Sequence, residues 1–117
     1  MSKREQRERE IKNKKEKANY DIMYDALTEL LLIDILTGDD QYKLEKEGLN
    51  KLYIRFGNEF QPRCVLVAEE YEFKFLGINN HVNKNMHEKY KLHQNWYFFR
   101  DVEGLMDMFK RCVMGFK

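Results

Sequence analysis

Apolar residues enter this chain in a regular pattern only from Tyr20 onward. Residues 2–19 carry one large aliphatic side chain, Ile11, and so have no face to bury. They are rich in the helix formers Arg, Glu, Lys and Gln, and Arg4/Glu8 and Lys12/Glu16 are opposite charges four apart. A helix that persists only when attached to something larger is expected there. From Tyr20 the period turns helical. Tyr20, Met23, Tyr24, Leu27, Leu30, Leu31 and Ile35 recur at spacings of three and four, with Ile22, Ala26, Ile33 and Leu36 widening the stripe. Asp21, Asp25 and Glu29 hold the other side. The run 30–36, from Leu30 through Leu36, is apolar nearly all round, which suits a central helix or half of a homodimer interface. Gly38 is the expected stop.

Asp39 and Asp40 then offer an N-cap for a second helix. Tyr42, Leu49, Leu52, Tyr53 and Phe56 fall at helical spacing, with Gly57 beyond them. A helix is expected to about residue 50. Leu52, Ile54 and Phe56 also fit one face of a short strand. Residues 63–76 alternate: Val65, Val67, Tyr71, Phe73 and Phe75 at odd positions, with Glu70, Glu72 and Lys74 between. Period two with β-branched and aromatic residues predicts strand, in two pieces with a bend at Glu69 and Glu70. The competing assignment is a helix opened by Pro62 and closed by Gly77, which would make the protein all-α.

Residues 77–94 read as a polar loop with a short helix near 84–91, and 96–99 as a compact aromatic strand. Asp101 caps a last helix, with Glu103 in its first turn and a stripe of Val102, Leu105, Met106, Phe109, Cys112, Val113 and Phe116. The expected fold is therefore α+β. A charged arm over 1–19 leads into a long N-terminal helix. One domain over 20–117 adds a second helix, a small antiparallel sheet and a C-terminal amphipathic helix.

Charge alters this picture. Residues 2–17 hold eight bases (Lys3, Arg4, Arg7, Arg9, Lys12, Lys14, Lys15, Lys17) and four glutamates, a net of +4. The remaining residues hold thirteen bases and sixteen acids, so the overall +1 conceals a basic arm on a mildly acidic body. Bases in such density bind phosphates by releasing counterions, but interleaved glutamates halve the field. The eight bases are the candidate binding residues. A protein partner is the expected target, nucleic acid the alternative. The aromatic residues, eight Phe, seven Tyr and Trp96, suit a core beneath the helices. On a strand half of them must face outward, which makes Trp96, with Arg100 beside it, a candidate partner contact.

Catalytic patterns are thin. Glu72 and Lys74 form the Glu-x-Lys pair that metal-dependent nucleases of the PD-(D/E)xK type use, but no Pro-Asp precedes them. His81, His87 and His93 stand six apart, a spacing that fits neither helical nor zinc-finger ligation. The lone serine is Ser2, and the glycines never cluster into a phosphate loop. Cys64 and Cys112 lie among apolar residues and are expected as buried free thiols. The basic start runs into more charge rather than an apolar leader, and the longest apolar run falls well short of the ~20 residues a span needs. A cytoplasmic protein with no membrane partner and no cofactor is expected. The reading of function is a small non-enzymatic binding protein: an accessory regulator or inhibitor, of the kind viruses and mobile elements encode, docking on a protein that handles nucleic acid. The alternatives are a direct nucleic-acid binder, a nuclease using Glu72 and Lys74, and a homo-oligomeric structural protein.

Overall fold

A computed structural model describes residues 2–36, 41–78 and 96–115, with the backbone alone at 33–35. Helix α1 (Lys3–Leu36) runs unbroken from the charged arm into the apolar stripe. Five strands follow: β1 (Tyr42–Glu47), β2 (Lys51–Phe56), β3 (Cys64–Ala68), β4 (Phe73–Gly77) and β5 (Tyr97–Phe99). Helix α2 (Val102–Cys112) closes the described chain. The strands form one antiparallel sheet in sequence order, an α+β fold.

Register sorts every side chain between two faces. Leu52 pairs with Leu66, Leu66 with Phe75, and Phe75 with Tyr97, making one row across the sheet. Ala68, Phe73 and Phe99 make a second row. These residues share a core cluster with Tyr20, Met23, Leu27 and Leu31 of α1 and Leu105, Met108 and Phe109 of α2, so both helices cover the same face. Helix α1 lies over β3 and beside α2, which lies over β4 and β5. Tyr53, Val65, Val67, Lys74, Leu76 and Phe98 point to the opposite face. Each fully buried Leu or Phe stabilises by roughly 1.5–3 kcal/mol relative to exposure, which locates the cohesion of the molecule in this sandwich of two helices on one sheet.

The second helix expected to about residue 50 is instead β1 and the turn after it, while the short strand that Leu52, Ile54 and Phe56 fit is β2. Tyr42 and Leu44 alternate with Lys43 and Glu45, and Leu52 and Ile54 with Tyr53 and Arg55, so period two places four apolar side chains against the core. The stretch is rich in Lys, Glu and Leu, whose helix preference is worth tenths of a kcal/mol each. That preference is overridden by sheet burial. The turn is closed by Gly48 at φ 65, a left-handed conformation that glycine adopts without steric cost. Asn50 completes it: its side-chain amide donates to the Ala68 carbonyl at 2.8 Å, and its own carbonyl accepts from the Ala68 amide at 2.9 Å. The strands expected over 63–76, bending at Glu69 and Glu70, are β3 and β4, and the aromatic strand is β5. Asp101 caps α2 by accepting from the Gly104 amide at 2.8 Å. A Cβ at Gly104 would stand 3.0 Å from the Phe99 ring, so glycine there lets α2 sit close on β5. The residues assigned to a short helix near 84–91, the stops at Gly38 to Asp40, and Phe116 lie outside the described residues.

One buried charge locks the sheet to α2. Arg63 is 5% exposed. Its guanidinium grips Glu59 with two hydrogen bonds of 3.0 and 3.1 Å, donates to the Val113 carbonyl at 2.9 Å, and lies 3.9 Å over the Phe56 ring. That carbonyl sits just past the end of α2, where helix dipole and orphan acceptors favour a cation.

Candidate functional site

Roughly the first three and a half turns of α1 are bare. Ser2 caps the helix, its hydroxyl accepting from the Glu5 amide at 3.2 Å. Among residues 3–15 every side chain is exposed. All eight candidate bases lie on this stretch or at Lys17, and all are exposed. The helix sorts them into two sets. Arg4 pairs with Glu8 at 3.4 Å, Lys12 with Glu16 at 3.9 Å, and Lys15 with Glu70 at 3.4 Å. Lys3, Arg7, Arg9, Lys14 and Lys17 form no ion pair among the described residues. Four of these five, Lys3, Arg7, Lys14 and Lys17, fall at spacings that repeat every 3.6 residues. They share one side of α1, within about 80°, and lie about 120° from the core-facing stripe. Within the arm Glu10 is the single acid on that side; past it the same side continues into Asp21 and Asp25.

The arm is anchored where it leaves the body, at the turn between β3 and β4. The Asn19 amide donates to two successive carbonyls, Glu69 at 2.8 Å and Glu70 at 3.1 Å. Lys15 donates to the Tyr71 hydroxyl at 2.9 Å and lies 4.6 Å over the same ring. That hydroxyl, followed by the Glu70 carboxylate, holds the Lys15 ammonium above its ordinary value. Tyr71 is 73% exposed. Between it and the arm runs an open groove of about 470 Å³, with Ile11, Lys12 and Arg9 on the helix wall and Tyr71 and Glu70 on the other. A smaller concavity of about 370 Å³ lies between α1 and the edge of the sheet, lined by Tyr20, Tyr24, Leu44 and Lys46.

The other candidates are dispersed. Lys74 points to the face away from the helices and pairs with Glu69 at 2.9 Å. Glu72 precedes β4 in the turn, where its carbonyl accepts from the Glu69 amide. Among the described residues no group of three His, Cys, Asp or Glu is placed to hold a metal. His81, His87 and His93 lie outside the described residues. Trp96 is half-buried with Lys74 5.9 Å above its ring, and Phe98, at 5.4 Å from the same ammonium, is the outward aromatic of β5. Arg100 is exposed at the end of that strand. These three sit at the fifth strand, and Phe98 faces away from the layer that carries α1, so they do not extend the arm's surface. Phe73, Phe75, Tyr97 and Phe99 belong to the core.

Both cysteines are free and buried. Burial pushes the Cys64 thiol well up and raises Cys112 to about 11, so neither offers a thiolate near neutral pH. No described helix is long and apolar enough to cross a membrane. Sequence reasoning missed Asn19, Tyr71 and Arg63. The available signal for Asn19 was a poor helix former placed mid-helix at the boundary between charge and apolar stripe. For Arg63 it was a lone base opening an apolar strand. Comparison with family models, curated proteins and solved structures finds nothing that matches this chain.

Proposed function

We propose that this chain is a non-enzymatic binding protein, an accessory regulator or inhibitor that docks through its arm on a protein that handles nucleic acid. The observation that carries this reading is the unpaired basic side of α1, Lys3, Arg7, Lys14 and Lys17. Its neighbours Arg4, Lys12 and Lys15 are already committed to carboxylates. The helix is continuous with the core and anchored at Asn19, so the four bases are presented in a fixed spacing and little ordering entropy is lost on docking. Glu10 within the stripe argues for a protein target, because an unbroken phosphate ladder would repel it. A surface beside a phosphate path carries both signs and complements both. The test is the variant Arg7→Glu/Lys14→Glu/Lys17→Glu used as bait beside the parent chain. Loss of captured protein with unchanged circular dichroism supports the reading, and undiminished capture rejects it.

The same unpaired bases favour direct nucleic-acid contact as the second reading. There, affinity for a DNA or RNA duplex falls with salt on a log–log plot with a slope near −0.9 per phosphate contacted. A flat plot removes it.

A further inference from the structure

Helix α1 also has a side opposite the core that neither the sheet nor α2 covers, overlapping the basic side at Lys3, Arg7 and Lys14. Ile22, Leu32 and Leu36 lie on it, with Ile11 at its border with the Tyr71 groove, and the four are 49%, 48%, 77% and 54% exposed in that order. Ile22 and Leu36, which the apolar pattern assigned to the core stripe, thus face away from it. The residues sharing this side divide by charge. Lys3, Arg4, Arg7 and Lys14 stand in the arm, and Asp21, Asp25 and Glu29 in the following half. Over the whole helix the division is complete in one direction: residues 18–36 hold four acids and no base.

We infer that this side of α1 docks on the same side of a second copy of the chain, antiparallel, about a twofold axis near Asp21 and Ile22. Charge complementarity selects the occupant. Antiparallel pairing in this register sets Lys14 on Glu29 and Ile11 on Leu32 of the partner copy, each contact made twice, while Arg7 falls beside Leu36 and the two copies of Asp21 meet at the axis. Parallel pairing sets Asp25 and Glu29 against their own equivalents. A twofold interface must be self-complementary, and a helix whose ends carry opposite charge along an apolar stripe meets that condition. A helix of 34 residues, about 50 Å long and 10 Å across, buries on the order of 1,000 Å² over two chains, the lower bound for a specific interface. The association is therefore weak, reversible and salt-sensitive. It does not rest on the external docking reading, although it covers Lys3, Arg7 and Lys14, so a partner seeking those bases competes with the second copy.

Mass measurement by light scattering across a concentration series, in low and high salt, is the first test. The expected result is a shift toward twice the monomer mass that high salt reverses. Asp25→Lys/Glu29→Lys should be monomeric alone, and mixing it with Arg7→Glu/Lys14→Glu should restore a dimer. Orientation is read from Ile11→Cys and Leu32→Cys, mixed as single variants and oxidised. Antiparallel docking gives the 11–32 cross-link, and parallel docking gives 11–11 and 32–32. A monomer at every concentration, or self-linked products, would overturn the inference. Leu32→Glu separates it from partner docking, because it breaks the dimer while leaving the basic stripe whole.

Discussion

Residues 3–17 and 18–36 belong to one unbroken helix, yet different forces hold them. The second half buries Tyr20, Met23, Leu27 and Leu31 against the sheet, so its helicity is set by the core. The first half buries little beyond Glu16. It stays helical through its Ser2 cap, pairs such as Arg4–Glu8, and continuity with an already nucleated helix. Adding a turn to an existing helix escapes the cost of starting one, which is why a segment marginal in isolation is ordered here. A burial-free extension of a buried helix leaves its side chains available for contact.

This contrast can be broken from the body side first. Leu27→Ala removes a fully buried side chain and should cost about 2–5 kcal/mol in urea denaturation. The equivalent change in the arm, Arg7→Ala, should stay within about 0.5 kcal/mol. Arg63→Ala tests the other large term: it removes two hydrogen bonds to Glu59 and the side-chain donor to the Val113 carbonyl, and a loss of about 1–3 kcal/mol is expected. Arg63→Lys should recover only part of it, because an ammonium cannot reproduce the planar fork.

At the junction of the two halves, Asn19→Ala should cost about 1–3 kcal/mol by leaving two turn carbonyls short of a donor. Its signature is local: amide exchange at Glu69 and along the arm should quicken, while α2 stays protected. A smaller effect separates the thiol-bearing core from the arm by pH. Cys64 and Cys112 hold their protons in the fold beyond the ordinary value of 9.0, with Cys112 at about 11. Above pH 9 the unfolded chain releases protons that the folded one keeps, so stability is whole below that pH and declines as it rises toward about 11. Thermal melts across that window check the sign. Replacing both cysteines with Ala should flatten the decline, and a slope equally steep in that variant counts against the thiols.

Much of the fold was legible because period and burial agreed. Tyr20 to Leu31 in α1, Phe73 and Phe75 in β4, and the stripe of α2 face the core as their spacing implies. The turn between β3 and β4 changes the parity, so Val65 and Val67 point to the other face and Tyr71 stands exposed in the turn. Strand β1 was not legible, because Lys43, Glu45, Lys46 and Glu47 are helix formers on an exposed edge strand. Their charge instead serves to discourage edge pairing with another sheet. The candidate bases were legible as composition. Two of their pairings, Arg4–Glu8 and Lys12–Glu16, were legible as opposite charges four apart, whereas that of Lys15 was not, because it depends on Glu70 and Tyr71, more than fifty residues away. The same holds for Ile22 and Leu36: spacing put them with the core, and the orientation of α1 on β3 turned them outward.

Asn19 gives the arm a mechanical property. With its amide fixed to two consecutive carbonyls, it is a fulcrum, and Lys3 lies about 24 Å beyond it along the helix axis. A load at the tip multiplies at that point, and any tilt must stretch one of the two hydrogen bonds before the other. The displaced carbonyls belong to the turn that joins two inner strands of the sheet. Torque on the arm is thus delivered to the middle of the body, not dissipated at its edge.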